Sequence, residues 1–195
     1  SFQVPVIIKT RNTEVRESIT VTEQSQSIDI EVDALPVEMI IDPEYDLMRI
    51  LRPQETPPIW SQFIGAVNKT VVLPVSETDM TIYEPLMPML ERMGCEMIPA
   101  DELDNEDFSE GSFLFLGNSK HSLGLFADPA HSENGVTVDV RKNPLAHGQI
   151  AVLITSPDDK QTRSIVRKLN HYGKYSYLVF NKDGQKELSG IWPID

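Results

Sequence analysis

The fold of this chain is decided by residues 149–180, which read QIAVLITSPDDKQTRSIVRKLNHYGKYSYLVF. An apolar run of strand length, residues 150–154, opens the stretch and suits a strand that is covered on both faces. Ser156 is of a type that caps the start of a helix, and Gly173 is of a type that ends one. Residues 175–180 close the stretch as a strand rich in β-branched and aromatic residues.

Together these elements form a βαβ unit, whose connection is right-handed in nearly all proteins. We therefore expect two parallel strands in an α/β sheet. The helix has apolar residues on one face and basic residues in its last turn, where they complement the helix dipole. All of these features serve stability, so Ser156, Asp158 and His171 are assigned to the helix ends and not to a catalytic site.

The composition is that of a globular protein with one or two domains. The chain has 195 residues, and its formal net charge is -13. So many negative charges disfavour binding to nucleic acid and to an anionic membrane surface, because both of these partners are polyanions. No apolar run is long enough for a membrane span, so none is expected. Cys95 is the only cysteine, which excludes a disulfide within the chain.

Residues 1–54 are predicted to form a small antiparallel β-sandwich-like segment that ends in a proline-rich joint. Apolar and polar residues alternate here, as they do in strands with one face in solvent. Four segments are expected to be strands: residues 4–9, 15–21, 28–32 and 37–41. Four short strands cannot bury their apolar face alone. Either the following domain covers that face, or preceding sequence supplies a second sheet. Because the chain begins with Ser1 and not with methionine, we favour the second alternative and expect a processed or excised piece.

Residues 55–195 are predicted to form an α/β domain of the flavodoxin-like or Rossmann-like type, with helices on both faces of the sheet in three layers. Two prolines interrupt the helical segment at residues 80–93, so we expect a kink or a late start there. Residues 135–140 alternate again, and they are predicted to form an antiparallel edge or hairpin with residues 123–126.

The loop after the buried strand at residues 113–116 is the best place for a ligand. Open α/β sheets bind ligands outside the carboxyl ends of their strands. The residues that follow this strand end are Gly117, Asn118, Ser119, Lys120 and His121. The glycine allows a sharp turn, and the polar side chains suit an anion or hydroxyl groups; the alternative is a plain connecting loop. No glycine-rich phosphate-binding motif accompanies it, so no cofactor is expected.

The sequence predicts neither a metal site nor a catalytic site. The histidines, His121, His131, His147 and His171, lack the HisGluXxxXxxHis spacing of a zinc site. Ser119 with His121, or Ser156 with Asp158, has the residue types of a hydrolase triad but no GlyXxxSerXxxGly elbow. Residues 101–110 are acidic, yet they lack the central glycine and final glutamate of a calcium-binding loop.

Several stretches resemble a known family. Residues 4–10, VPVIIKT, and residues 35–51, LPVEMIIDPEYDLMRIL, are similar to the β-sandwich domain that follows the catalytic domain in zinc aminopeptidases of the alanyl-aminopeptidase (gluzincin) type. Residues 52–58, RPQETPP, and residues 171–180, HYGKYSYLVF, resemble the small α/β domain that closes the chain in a bacterial subgroup of that family. The resemblance extends from one end of the chain to the other.

This resemblance implies a noncatalytic role. The family's HisGluXxxXxxHis helix, its distal glutamate and its GlyXxxMetGluAsn substrate loop are not in this sequence, so no catalytic residue is carried over. What is implied is an accessory C-terminal module, exported to the bacterial periplasm, whose partner is the rest of the parent polypeptide or another protein. One alternative is an independent module that binds a small ligand or a carbohydrate through residues 117–122. Another is a cryptic hydrolase, which requires a serine or an acid beside His121 or His147 in space.

Overall fold

The computed structural model describes residues 1–104, 107–126, 128 and 135–193. The chain divides into two compact units, Ser1–Leu51 and Arg52–Asp195, and each is described by itself below. Both contain a β-sheet, and the α-helices of the described residues belong to the second unit, so the protein is mixed α/β.

The first unit is built on a three-stranded antiparallel sheet. Its strands are β1 (Phe2–Thr10), β2 (Glu14–Val21) and β3 (Pro36–Ile41), in the order β2-β1-β3. The fourth strand expected at residues 28–32 is not formed, so that prediction was wrong. Asp33, directly after this segment, accepts hydrogen bonds from the hydroxyls of Thr10 and Thr13. Its side chain therefore braces the β1–β2 turn, while residues 28–32 make no ladder.

One edge of this small sheet presents apolar side chains to solvent. Val37, Met39 and Ile41 alternate along β3 and are 60%, 62% and 42% exposed. Their neighbours in the central strand are covered, since Val6 pairs with Ile41 in register and is only 3% exposed. A three-stranded sheet has too little surface to cover an apolar face by itself.

The second unit is organised around a seven-stranded sheet in the order β10-β9-β7-β8-β6-β4-β5. Its strands are β4 (Lys69–Leu73), β5 (Glu96–Pro99), β6 (Ser112–Leu116), β7 (Val136–Lys142), β8 (Ile150–Thr155), β9 (Tyr177–Phe180) and β10 (Lys186–Gly190). Strands β5, β4, β6 and β8 are parallel neighbours. The other pairings, β7 with β8 and with β9 and β9 with β10, are antiparallel, so the sheet is mixed.

Strand β7 corrects two details of the sequence prediction. The strands of the opening βαβ unit, β8 and β9, do run parallel, but β7 lies between them and is antiparallel to both. The hairpin expected between residues 135–140 and 123–126 is absent from the described sheet, because helix α4 (Lys120–Leu125) occupies most of the second segment. β7 is thus a central strand and not an edge.

The remaining helices are α1 (Trp60–Gly65), α2 (Glu77–Tyr83), α3 (Met87–Arg92) and α5 (Asp159–Leu169). The interruption expected from two prolines is confirmed, because a 3-10 turn, Glu84–Leu86, separates α2 from α3. Gly94 then ends α3 at a φ of 70°, which only glycine adopts without strain.

The ends of α5 differ from those expected. Asp158, and not Ser156, is the N-cap residue, and its carboxylate accepts a hydrogen bond from the Gln161 N–H at 2.7 Å. Gly173 does not adopt a left-handed conformation. Its role is close approach instead: its carbonyl accepts a bond from the Ser61 N–H at 2.8 Å, and an added Cβ would lie 3.2 Å from the Ser61 Cβ.

Each face of the large sheet carries its own apolar core. One face packs against α1, α2, α3 and α5, and its largest fully buried side chains include Trp60, Phe63, Leu86, Leu90, Ile165 and Leu169. The other face is covered by aromatic residues around the 3-10 turn Asp107–Ser109 and the end of α4; its buried members include Leu103, Phe108, Phe113, Phe115 and Phe126. The parallel strands β6 and β8, which lie inside the sheet, are therefore covered on both sides, as their continuous apolar runs predict.

Candidate functional site

The parallel part of the large sheet has a switch in strand order. The chain begins this part at β4, adds β5 on one side of it, and then adds β6 on the other side. The loops that leave β4 and β6 therefore diverge and open a crevice between the carboxyl ends of these two strands. In open α/β sheets, this is the position where ligands bind.

A cavity of about 430 Å³ lies at this position, and we call it the switch-point cavity. Its walls come from the segments that follow three parallel strands. They are Val72, Leu73, Pro74, Val75, Ser76 and Asp79 from β4 onward, Ala100 and Asp101 after β5, and Phe115, Leu116, Gly117, Asn118, Ser119 and Lys120 at the end of β6. Its volume falls within the range of small-molecule sites, roughly 300–1,000 Å³.

Gly117 sets the direction of the loop after β6. Its φ is 79°, and its N–H donates a hydrogen bond to the Ile154 carbonyl at 2.8 Å. A Cβ added at this position would lie 3.1 Å from the Tyr83 hydroxyl oxygen. The loop can therefore turn over the Tyr83 ring only with glycine here, for reasons of both conformation and space.

The hydroxyl of Ser119 is engaged in the backbone of its own loop. Ser119 caps α4, since its hydroxyl accepts a bond from the Ser122 N–H at 3.1 Å, and the Ser122 hydroxyl accepts one from the Ser119 N–H at 2.8 Å. This capping box fixes the start of α4. Ser119 is therefore a structural wall of the cavity, and Asn118 and Lys120 are the side chains of this loop left to face a ligand.

The predicted loop lines the cavity only in part. Gly117, Asn118, Ser119 and Lys120 all contribute to its wall, but His121 does not. The His121 ring packs against Phe108 with 5.5 Å between ring centroids. Desolvation lowers the pKa of His121, and the Lys120 charge lowers it further. Its buried Nε2 has no hydrogen-bond partner among the described residues.

Two acidic residues of the switch-point cavity were missed by reasoning from the sequence. Asp79 lies in the first turn of α2, and Asp101 follows β5. The rule that identified the end of β6 applies equally to the ends of β4 and β5, so the signal was present in the strand assignments. The cavity thus presents two carboxylates together with the Lys120 ammonium and the Asn118 amide.

Tyr83 lies behind the Gly117 turn, in the core beneath the cavity. Its side chain is 4% exposed, and its hydroxyl accepts a hydrogen bond from the Ser156 N–H at 3.4 Å. Burial raises the pKa of Tyr83 to about 12. The ring is therefore uncharged at neutral pH and serves as a rigid support for the loop.

A second cavity, also of about 430 Å³, lies at the other end of the sheet, and we call it the opposite-end cavity. It is formed by the β7–β8 connection and by the segment before α1. Its lining residues are Pro53, Gln54, Thr56, Pro58, Gln62, Lys142, Asn143, Pro144, Leu145, His147, Gly148, Gln149 and Ile150. None of these described lining residues is an acid, although the whole chain carries 30 Asp and Glu residues.

A buried ion pair lies on β7, the strand between β9 and β8 in the large sheet. Asp139 of β7 is 0% exposed and accepts two hydrogen bonds from the Arg141 guanidinium, at 2.8 and 3.1 Å. The Trp192 indole N–H donates a third at 3.0 Å, and the Arg141 guanidinium stacks 3.8 Å from the centroid of the Trp192 ring. This cluster fastens the C-terminal segment to β7. It lines neither of the two cavities.

The residues proposed for triads are not assembled as triads in the described part of the chain. Ser156 donates its hydroxyl to the Asp158 carbonyl, and His147 hydrogen-bonds the side chain of Gln54. His131 lies outside the described residues, as does part of the acidic stretch 101–110. No group of three or more His, Cys, Asp or Glu suited to a metal ion is found among the residues described.

Comparison with protein-family models, with curated proteins and with solved structures finds no match to this chain. In the described residues, no helix has the length and apolar character needed to cross a membrane.

Proposed function

We propose that the second unit is a noncatalytic module that binds a small, hydroxyl-rich ligand in the switch-point cavity. The observation that carries this proposal is the coincidence of a cavity with the place where the strand order reverses. The four parallel strands, in the order β5-β4-β6-β8, have the order 2-1-3-4 among themselves, which flavodoxin-like sheets also have. This shared order supports a flavodoxin-like assignment for the parallel part of the sheet.

The polar groups of the cavity favour hydroxyl groups over a bare anion. The carboxylates of Asp79 and Asp101 accept hydrogen bonds, and Lys120 and Asn118 donate them. A hydroxyl group both donates and accepts, so a polyol or a neutral sugar can satisfy both kinds of group. A phosphate would meet two negative charges for one positive charge, which disfavours it.

A thermal-shift screen of the intact chain against neutral monosaccharides, polyols and inorganic phosphate tests this proposal. A neutral sugar or polyol that binds should raise Tm by about 5 °C at roughly a hundred times its Kd. Asp101→Asn and Asn118→Ala should each reduce the shift, whereas Lys142→Met, in the opposite-end cavity, should leave it unchanged. A screen in which no polyol or sugar raises Tm contradicts the proposal.

A second candidate function is that of an accessory module in a larger aminopeptidase-like protein. It is favoured by the exposed apolar stripe of Val37, Met39 and Ile41, which needs a covering surface such as a second sheet of the parent polypeptide. The resemblance of residues 35–51 to the sandwich domain of that family supports the same idea.

This second function has its own tests. The purified chain supplied with zinc should show no aminopeptidase turnover. Measurable turnover would contradict the noncatalytic accessory function. Met39→Glu should reduce binding of an apolar dye to the first unit, while Glu38→Gln, on the other face of β3, should not. The gene upstream should encode the family's HisGluXxxXxxHis motif; a start codon directly before Ser1 contradicts the accessory role.

A further inference from the structure

We propose that the opposite-end cavity binds an organic anion, a carboxylate attached to a small apolar body. The proposal is independent of the one made for the switch-point cavity, because the two cavities share no lining residue. Three observations support it: the hydrogen-bond donors left in the cavity, the sign of its charge, and its apolar remainder.

Two glutamines supply the first donors, because the side-chain oxygen of each already accepts a hydrogen bond. The Gln62 side-chain oxygen accepts a hydrogen bond from the Ile59 N–H at 3.0 Å. The Gln149 oxygen accepts one from the Ser112 hydroxyl at 2.8 Å, and that hydroxyl itself accepts the Ile150 N–H at 3.2 Å. The donor in each case fixes the orientation of the amide. In both glutamines the NH₂ group, a pure donor, is therefore the part of the amide left to bind a ligand.

Lys142 adds a positive charge to these donors. Its ammonium donates one hydrogen bond to the Gln54 carbonyl at 3.0 Å, which leaves two N–H groups for a ligand. The described lining contains no carboxylate to neutralise it, in a chain whose net charge is -13. The His147 ring is a further polar group of the lining, and it is hydrogen-bonded to the Gln54 side chain. The local charge therefore favours an anion, against the sign of the whole protein.

Five apolar residues also line the cavity: Pro53, Pro58, Pro144, Leu145 and Ile150. The cavity is larger than an inorganic ion requires. A cavity of about 430 Å³ whose lining combines donors with aliphatic groups fits a molecule with a charged head and an apolar body. We therefore infer a small organic carboxylate and not free phosphate.

The wall is held in place without a ligand. The Asn143 side chain, 6% exposed, donates to the Phe108 and Gly111 carbonyls at 2.9 and 3.2 Å, and its oxygen accepts the Leu145 N–H at 3.0 Å. Gly148, with a φ of 77°, turns the chain beside Pro53, where an added Cβ would lie 3.2 Å from the Pro53 Cγ. A fixed wall lowers the entropy lost on binding.

Titration of the full chain by NMR tests the proposal, with hexanoate, hexanamide, acetate and inorganic phosphate as probes. Hexanoate should shift the side-chain NH₂ signals of Gln62 and Gln149. Hexanamide, which has the same apolar body without the charge, and acetate, which has the charge without the body, should bind at least about tenfold more weakly. Phosphate should bind no better than acetate.

Gln62→Glu is the decisive variant, because its carboxylate keeps an acceptor for the Ile59 N–H but replaces the NH₂ donor by a negative oxygen. It should weaken hexanoate binding by at least about tenfold at unchanged Tm, and Lys142→Met should also weaken it. Gln185→Glu, which places the same charge on the β9–β10 turn, is the matched control and should bind hexanoate as the wild type does. The proposal is overturned if hexanoate leaves the two NH₂ signals unmoved, if hexanamide binds equally well, or if Gln62→Glu retains full affinity.

Discussion

The two cavities of the second unit are equal in volume and opposite in chemistry. The switch-point cavity lies where parallel strands end and presents Asp79 and Asp101 beside Lys120, whereas the described lining of the opposite-end cavity has Lys142 and no acid. The difference arises from β7. Because β7 is antiparallel to β8, its carboxyl end lies at the amino end of β8, so the loop that follows β7 builds a second crevice there. A single inverted strand can thus give a sheet two ends with loops of independent composition.

The largest loss of stability should come from a substitution in the sheet that both cavities share. Asp139→Asn removes the charge that pairs with Arg141 inside β7 and leaves the guanidinium without its carboxylate. We expect a loss of about 3 kcal/mol in the free energy of unfolding, measured by urea titration. Glu187→Gln, an exposed acid on β10, is the control and should change it by less than about 0.5 kcal/mol. Equal stability of the two variants would show that the ion pair does not hold the sheet.

High pH should act on the switch-point end through Tyr83. The pKa of Tyr83 is raised to about 12, from an ordinary value of 10.0, so the folded state keeps the proton that the unfolded chain loses. The stabilisation is complete below pH 10 and is lost as the pH rises to about 12, a change of about 2–3 kcal/mol.

Urea titrations of the wild type and Tyr83→Phe at several pH values between 9 and 12, values chosen to span the two pKa values, measure this loss. The variant lacks the ionising hydroxyl, so its stability should fall less than that of the wild type over this range. Parallel pH curves for the two proteins would contradict the assignment. The comparison also cancels the contributions of other groups that titrate at high pH.

Two glycines offer a direct comparison of the loops. Gly117→Ala and Gly148→Ala both force alanine into a left-handed conformation, at φ of 79° and 77°. The cost should be larger for Gly117, about 2 kcal/mol against about 1 kcal/mol, because its new methyl meets the buried Tyr83 whereas that of Gly148 meets the exposed Pro53. Thermal unfolding of both variants measures the difference. Equal losses of stability would mean that the buried Tyr83 ring moves aside as easily as the exposed Pro53 ring.

The smallest expected difference in stability is between substitutions of the two cavity lysines, Lys142 and Lys120. Lys142→Met removes the hydrogen bond to the Gln54 carbonyl and should cost about 1 kcal/mol. Lys120→Met removes a side chain that lines the switch-point cavity at the start of α4, and it should change stability by less than about 0.5 kcal/mol. Urea titration of the two variants measures both losses of stability. A larger loss for Lys120→Met than for Lys142→Met would contradict this prediction.

The parallel half of the fold and its cavity follow largely from local sequence, whereas β7 does not. The apolar run of β6, followed at once by Gly117, predicts a strand end and a turn, and both are present. In β7, alternation of apolar and polar residues indicated an edge strand exposed on one face. Asp139 is nevertheless buried, because its partners include Trp192, which is distant in sequence, and no local pattern signals such a pairing.

The opposite-end cavity was missed for a similar reason. Its donors belong to α1, to the end of β7 and to the residue before β8, which come together only once β7 is placed beside β8. The missing fourth strand of the first unit is the converse case. Its alternating pattern is real, but residues 28–32 form no ladder, and Asp33 directly after them accepts hydrogen bonds from the side-chain hydroxyls of Thr10 and Thr13, a contact that no local pattern signals.

The place of β7 also has a consequence for the order in which the sheet can be completed on the ribosome. β7 is made before both of its neighbours: β8 follows it directly, but β9 arrives only after α5. Until then, one side of β7 carries unpaired N–H and C=O groups, which are a template for pairing with another nascent chain. A chain that stops or is cut between β8 and β9 is thus left with an open edge at the middle of its sheet, and we expect such products to aggregate.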